Sequence, residues 1–394
     1  MERTSEPQIG ALRAELPVLE RLAYLNTGTA GPLPRRTVDA ITAANERQLV
    51  AGRASFKVYM EDYFPLLADV RARFARLLGA EEGEVAITHH TTEGLNIATW
   101  GLPWQPGDEI VLTTHEHDAG LLPAYAAARR FGLGVRLVAP DGDAASMVAA
   151  IRAVLSPRTR LVILSHVTYT TGAVLPVQAI AEVAHRHGAL VAVDGAQAAG
   201  AIPVDVHALG ADFYAVPGQK WLCGPEGVGA LYVRNACLST LAPTYIGGFA
   251  LRDFEAVDLT GYFLPAPDAR RYEQSSLYWP ALYGMQESLR WLEEDLGWAW
   301  VFSQTAAMTE RCRTMLGNLP GITLHTPPPY GSLTAFSLAG REAQATATQL
   351  SEQGVIIRSI PIYNWLRVAT GFFTTEADLA RLREGLLTAA AAGA

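Results

Sequence analysis

Residues 191–229, VAVDGAQAAGAIPVDVHALGADFYAVPGQKWLCGPEGVG, decide the reading of this chain. The β-branched run Leu190 to Val193 reads as a buried strand that ends in Asp194. A small-residue stretch then leads to a second strand, Phe213 to Val216, which breaks at Pro217-Gly218 and delivers Gln219-Lys220-Trp221. Two strand ends thus present one carboxylate and one lysine. That arrangement belongs at the rim of an open α/β sheet, outside the carboxyl ends of its strands, where such folds bind ligands.

The chemistry that asks for this pair is that of pyridoxal 5'-phosphate. A lysine amine forms a Schiff base with the cofactor aldehyde, and an acid keeps the pyridine nitrogen protonated so that the ring accepts electrons. Lys220 is read as the first and Asp194 as the second. An isolated lysine is ordinarily a solvated one; this one stands between a Pro-Gly break and Cys223-Gly224-Pro225-Glu226-Gly227-Val228-Gly229, a glycine density suited to backbone packed closely around a ligand.

The runs Val193-Asp194-Gly195-Ala196-Gln197 and Lys220 to Gly229 resemble the class V aminotransferase family of pyridoxal-phosphate-dependent, fold-type I enzymes, which holds cysteine desulfurases, selenocysteine lyases, kynureninases and isopenicillin N epimerase-like proteins. The resemblance implies an α/β fold with a large domain, a mostly parallel sheet covered by helices, and a smaller α+β C-terminal domain. We read residues 1–20 as an N-terminal segment packing with the small domain, 21–287 as the large cofactor-binding domain, and 288–394 as the small one.

Composition agrees with an ordinary globular enzyme. The 394 residues are 49% apolar and 18% charged, and they suffice for two or three domains. A net charge of −8 argues against a nucleic-acid surface. No run reaches membrane-spanning length, and MERTSEPQIG lacks the apolar core of a signal peptide, so a cytoplasmic location without membrane attachment is expected. Cys223, Cys237 and Cys312 have neither disulfide-framework nor zinc-site spacing. They read as reduced thiols.

Along the chain, Ile9, Leu12, Leu16 and Leu19 mark a short helix within residues 1–20, Pro34 opens a helix through Leu49, and Tyr63 to Leu78 forms another. A strand at Val85–Ile87 runs into Thr88-His89-His90-Thr91-Thr92-Glu93-Gly94, a helix start with threonine at its cap. Such an N-terminus binds phosphate readily. It resembles the family's phosphate loop, with His90 in place of glycine, and this makes Thr91 and Thr92 the phosphate contacts.

After the strand at 110–112, His115, His117 and Asp118 admit two readings. Alternation puts both histidines on one side, where with Asp118 they could hold a metal. The family pattern instead reads Glu116-His117 as the position where a histidine lies flat on the cofactor ring, and we adopt that reading, with no metal. The apolar strand Leu161–Leu164 ends in Ser165-His166-Val167-Thr168-Tyr169, similar to a family segment that has asparagine where Tyr169 stands. Gln197 is then the better candidate for the cofactor's phenolic oxygen. His185 and His187 are read as facing solvent.

Residues 243–270 form a long Gly-, Pro- and aromatic-rich connection, and one that long is usually functional. It leads to Arg271-Tyr272-Glu273-Gln274-Ser275-Ser276, similar to a family segment whose hydroxyl binds the phosphate of the neighbouring subunit. The resemblance thus implies a homodimer with a shared active site and Ser276 as a cofactor contact. In the C-terminal part, helices near 300–316, 341–353 and 376–390 accompany strands at 321–325, 332–338, 354–358 and 363–369 that suit an antiparallel sheet. Arg367 falls where the family's arginine pairs with the substrate carboxylate, and its planar fork suits that role. Arg358 is a second candidate.

The reaction is narrowed by what is missing. Desulfurases of this family carry a nucleophilic cysteine just after the segment matched by Val355–Arg358, where this chain has Ser359-Ile360-Pro361-Ile362-Tyr363-Asn364. They also place histidine where Gln219 stands. Gln219 to Gly227 resembles the isopenicillin N epimerase-like branch, which includes carbon-sulfur lyases. The reading is therefore an enzyme acting at the α-carbon of an amino acid, first a carbon-sulfur lyase performing β-elimination on a cysteine derivative. Epimerisation and transamination follow it, and a non-catalytic pyridoxal-phosphate-binding regulator is the alternative of another class. Lys220, Asp194 and His117 are the catalytic candidates, with Lys220 shuttling the α-proton.

Overall fold

A computed structural model describes residues 9–53, 55–139, 142–253 and 255–391. Seven strands form the main sheet: β1 Val85–Thr88, β2 Glu109–Thr113, β3 Gly134–Val138, β4 Thr159–Ser165, β5 Leu190–Asp194, β6 Phe213–Pro217 and β7 Gly229–Val233. Their spatial order is β1-β7-β6-β5-β4-β2-β3. The five strands from β6 to β3 are mutually parallel, while β7 runs antiparallel to both of its neighbours. The expected mostly parallel α/β sheet is the one observed.

The strands are apolar at consecutive positions because helices cover both faces. Val162, Leu164, Val191, Val193, Tyr214 and Val216 belong to the core on one side of the sheet. Leu161, Ile163, Ala192, Phe213 and Ala215 belong to the core on the other. Parallel register then brings the C-terminal ends together: Ser165 lies opposite Asp194, and Asp194 opposite Ala215.

A second, antiparallel sheet of order β10-β11-β9-β8 is built from β8 Ile322–Leu324, β9 Leu333–Leu338, β10 Arg358–Ile360 and β11 Trp365–Ala369. The expected strand over 354–358 is split. Val355–Ile356 pairs in parallel with Ala23–Tyr24, and only from Arg358 does the chain join the antiparallel sheet. The same stretch of chain therefore ties the loop after Tyr24 to the second sheet.

Three other expectations are corrected. The first eight residues lie outside the described ones, and the N-terminal helix, described from Ile9, stops at Ala14 ahead of a 3-10 turn at Pro17–Glu20, because Pro17 has no amide to continue the ladder. The helix Thr91–Trp100 is capped by His90, whose Nδ1 accepts from the Glu93 amide, and not by threonine. His185 does not simply face solvent: its Nε2 lies 2.8 Å from the fully buried Asp212. Among the described residues no helix is long and apolar enough to cross a membrane.

Candidate active site

The C-terminal ends of the parallel strands open into a cavity of about 300 Å³. Thr91, Thr92, His117, Asp194, Gln197, Lys220 and Arg367 all line it, so seven of the sequence-derived site residues meet in one place. Ser276 does not join them within the chain. It lines a smaller cavity with Tyr63, Phe249 and Gln274, on the far side of Glu93, whose Oε1 accepts from Gln274 Nε2 at 3.0 Å.

Lys220 follows the Pro217-Gly218 break at the end of β6. The surrounding protein strips it of water and lowers its pKa to about 8, against the pull of Asp194 and with the help of Arg367 and Arg358. The loop Gly28–Gly31 seats on the lysine turn. The Gly31 amide donates to the Gln219 carbonyl at 2.7 Å, and a Cβ at Gly31 would fall 2.1 Å from the Lys220 carbonyl oxygen. Glycine is required there by this close approach.

Asp194 is buried at the end of β5; its Oδ1 accepts from the Ala196 amide at 2.8 Å, and its other oxygen has no hydrogen bond among the described residues. Glu116 lies beneath it. That carboxyl, fully buried, accepts from the hydroxyls of Thr113 at 2.5 Å and Ser165 at 2.7 Å, and burial together with the Asp194 charge pushes its pKa up to about 7. The pattern around His117 gave no separate role to Glu116, and only the strand register reveals its place beside the Asp194 site.

His117 caps the helix Asp118–Phe131 through Nδ1, which accepts from the Ala119 amide at 3.1 Å. Burial, and then the Lys220 charge, lowers its pKa. Tyr169 stands edge-on to it, ring centroids 5.0 Å apart at 82°. The strand β2 ends at Thr113, so His115 and His117 are not strand residues alternating on one face. Among the described residues no group of three or more His, Cys, Asp and Glu is disposed to hold a metal ion.

Gln197 donates from Nε2 to the Gly28 carbonyl at 2.7 Å and accepts from the Trp221 indole at 3.0 Å, which fixes the orientation of its amide and leaves one N–H. Thr91 Oγ1 and Gln219 Oε1 are buried polar atoms without a partner among the described residues. Arg367 is 1% exposed; it donates from Nη1 to the Tyr169 carbonyl at 2.7 Å and from Nη2 to Thr29 Oγ1 at 3.3 Å. Burial and the neighbouring Arg358 lower its pKa to about 9. No cysteine lines the cavity. Cys223, three residues beyond the lysine, is fully buried and its thiol is pushed up to about 12.

This sheet order, with lysine and aspartate at the C-terminal edge, defines the architecture of a fold-type I pyridoxal phosphate enzyme. The family model for aminotransferase class-V matches residues 23–368. The chain is 30% identical to a cysteine desulfurase of Haloferax volcanii over 376 residues, covering 89% of this chain and 87% of that protein. It is 31% identical to the isopenicillin N epimerase of Streptomyces clavuligerus over 390 residues, covering 92% and 93%. Among solved structures, the cystine C-S lyase C-DES, in complex with its reaction product cysteine persulfide, superposes with a TM-score of 0.88 at 31% identity, covering 94% of this chain and 98% of that one. A mutant of C-DES with glycine covalently linked to the PLP cofactor superposes equally well. The chain belongs to the aminotransferase class-V family.

Proposed function

We propose that the cavity holds pyridoxal 5'-phosphate and that the protein is a carbon-sulfur lyase acting on a cysteine derivative. When bound, this cofactor supplies an aldehyde for the amines of Lys220 and substrate, and a ring that takes up the electron pair left at the α-carbon. The residues present fit the group. Thr91 offers a buried hydroxyl with no other partner, and with Thr92 it stands on the first turn of a helix whose leading amides lack helical acceptors, a ready seat for a phosphate. Asp194 would hold the proton on the ring nitrogen with its unengaged oxygen, His117 would lie against the ring, and the spare N–H of Gln197 would serve the phenolic oxygen.

The remaining steps belong to the chain. Arg367 holds the substrate carboxylate, a planar fork already stripped of water and without an ion pair among the described residues. The Lys220 amine takes the α-proton as general base. Its lowered pKa, about 8, keeps a usable neutral fraction near physiological pH. The bond from β-carbon to sulfur then breaks with its electron pair leaving on sulfur, and one water completes the balance to a thiol, pyruvate and ammonia.

The observation that carries the lyase reading is the absence of a thiol from the cavity lining. Sulfur has no protein acceptor there and departs on the substrate-derived fragment. Residues 21–287 form the cofactor-binding large domain of this reading and 288–394 the small domain; of the N-terminal segment 1–20, the described part is tied to the small domain through Arg13, which lies 2.8 Å from Asp378. A homodimer in which Ser276 serves the neighbouring subunit's phosphate belongs to the same reading. So does a reducing, cytoplasmic setting, in keeping with three buried free cysteines.

The test is incubation of the holoenzyme with S-substituted cysteines and their sulfoxides, followed by mass spectrometry. Thiol or sulfenate product with pyruvate and ammonia in equal amounts is expected, and Lys220→Ala lowers this turnover by at least about 10²-fold. A keto acid that retains the sulfur substituent would make the enzyme an aminotransferase, and inversion at the α-carbon without fragmentation an epimerase.

A further inference from the structure

The cavity holds two guanidiniums and, among the described residues, neither makes an ion pair. Arg358 on β10 is the register partner of Arg367 on β11, so the two side chains leave the same face of the sheet side by side. Like charges so placed repel, and Arg358 contributes to the lowered pKa of Arg367. Among the described residues the only group bonded to both is the hydroxyl of Thr29, which accepts from Arg358 Nη1 at 3.2 Å and from Arg367 Nη2 at 3.3 Å.

A threonine hydroxyl has one proton and two lone pairs. Here the proton goes to Asn26 Oδ1 at 2.8 Å, so both lone pairs are left for the arginines and all three capacities are used. The frame behind it is fixed. The Ala369 amide donates to the Leu25 carbonyl at 2.8 Å, which ties residues 25–26 to the strand that carries Arg367. The Thr29 amide bonds the Asn26 carbonyl at 2.9 Å, and the Gly28 carbonyl is held by Gln197. At Gly28 a Cβ would come within 2.7 Å of Leu333 and 3.3 Å of Arg367, so the loop is wedged against that arginine.

We infer that Thr29, with Asn26 behind it, is a positioning residue that aims the Arg358 and Arg367 guanidiniums at a single substrate carboxylate. The inference rests on the reading of Arg367 as the carboxylate site. Because the spacer acts on the arginines and not on the amine or the reacting bond, it governs recognition of the carboxylate alone.

The experiment compares L-alanine, which has no leaving group, with ethylamine, its carboxylate-free counterpart. Dissociation constants are taken from the visible absorbance of the holoenzyme, for wild type, Thr29→Val and Thr29→Ser. The valine variant is expected to bind alanine about three- to tenfold more weakly, the loss of one or two modest hydrogen bonds, with ethylamine within about twofold of wild type. Serine restores the alanine affinity. With an eliminable substrate the same loss appears in KM and not in kcat, because the carboxylate contact is made alike in ground and transition states. Equal weakening of both ligands, or no weakening of alanine, would overturn the role of Thr29. A wild-type enzyme that binds alanine no more tightly than ethylamine would overturn the Arg367 reading, and the proposal with it.

Discussion

Lys220 is the residue whose environment can be tested without cofactor or substrate. Burial disfavours its charged form, so the folded-state pKa, about 8, lies below the 10.5 of a solvated lysine. The sign is that of a base held partly neutral: its reactive fraction rises as pH rises through 8 and is nearly complete by 9. Competitive acetylation of the apoprotein, with mass spectrometric readout of the Lys220 peptide, is expected to reach half its plateau rate near pH 8. A half-plateau near 10.5 at Lys220 would mean that the amine is hydrated and the cavity open. Asp194, Arg367 and Lys220 were legible because the first ends an apolar strand, the second lies within one and the third follows one across a Pro-Gly break, and a charged residue in such a position needs a reason. Thr29 was not legible in the same way: it is one small polar residue in the loop after Tyr24, and its meaning comes from two arginines more than 300 positions away.

At the scale of elements, the main sheet has an edge to protect. β1 is an outer strand, and its Ile87 amide points away from β7. That donor is taken at 2.9 Å by Glu273 Oε1, and the same carboxylate pairs with the buried Arg71 at 2.8 Å. The pair joins the helix Phe64–Leu78 and the segment leading to Ser276 to the sheet edge. Burial pushes the Glu273 pKa up even against its arginine, so desolvation offsets much of the attraction within this buried pair. Breaking it is another matter. Glu273→Gln keeps an acceptor for Ile87 but strands the Arg71 charge, at an expected cost of about 3–5 kcal/mol. Adding Arg71→Met should recover most of it, and denaturation midpoints of the two single variants and the double variant measure that coupling. If the double variant loses the sum of the single losses, the buried charge is not the cause. The alternation of strands and helices that built this sheet was readable from apolar runs and Pro-Gly breaks. The split of 354–358 between two sheets was not, because a two-residue strand carries no period and its partner at Ala23–Tyr24 is fixed only by tertiary packing.

At the scale of the whole molecule, the chain leaves large apolar side chains uncovered in a region that also contains Ser276. Leu49, Val50 and Phe56 are 85%, 86% and 75% exposed. Gln48, Arg53, Tyr59 and Tyr278 line one cavity with Ser276, and the Tyr59 ring stands against Phe249 and Trp279. Leu259, Tyr262 and Phe263 are likewise exposed, in the long connection before Ser276. Large apolar side chains this exposed are what an interaction surface covers, and a two-fold dimer is the commonest way for a chain to cover them with a copy of itself. Light scattering is therefore expected to give twice the 42.4 kDa chain mass. Mass alone does not say whether the site is shared, but subunit mixing does. Lys220→Ala lacks the proposed base, and Ser276→Asp would set a carboxylate against the phosphate of whichever site Ser276 serves. If that site belongs to the neighbouring subunit, a hybrid of the two variants contains one cavity with both native residues and one with neither. Random re-association of equal amounts of the two variants makes half the dimers hybrids, so about a quarter of wild-type turnover should return from two nearly inactive preparations. If Ser276 serves its own chain's cavity, every cavity in the mixture carries one defect and nothing returns, which would leave the dimer without a shared site.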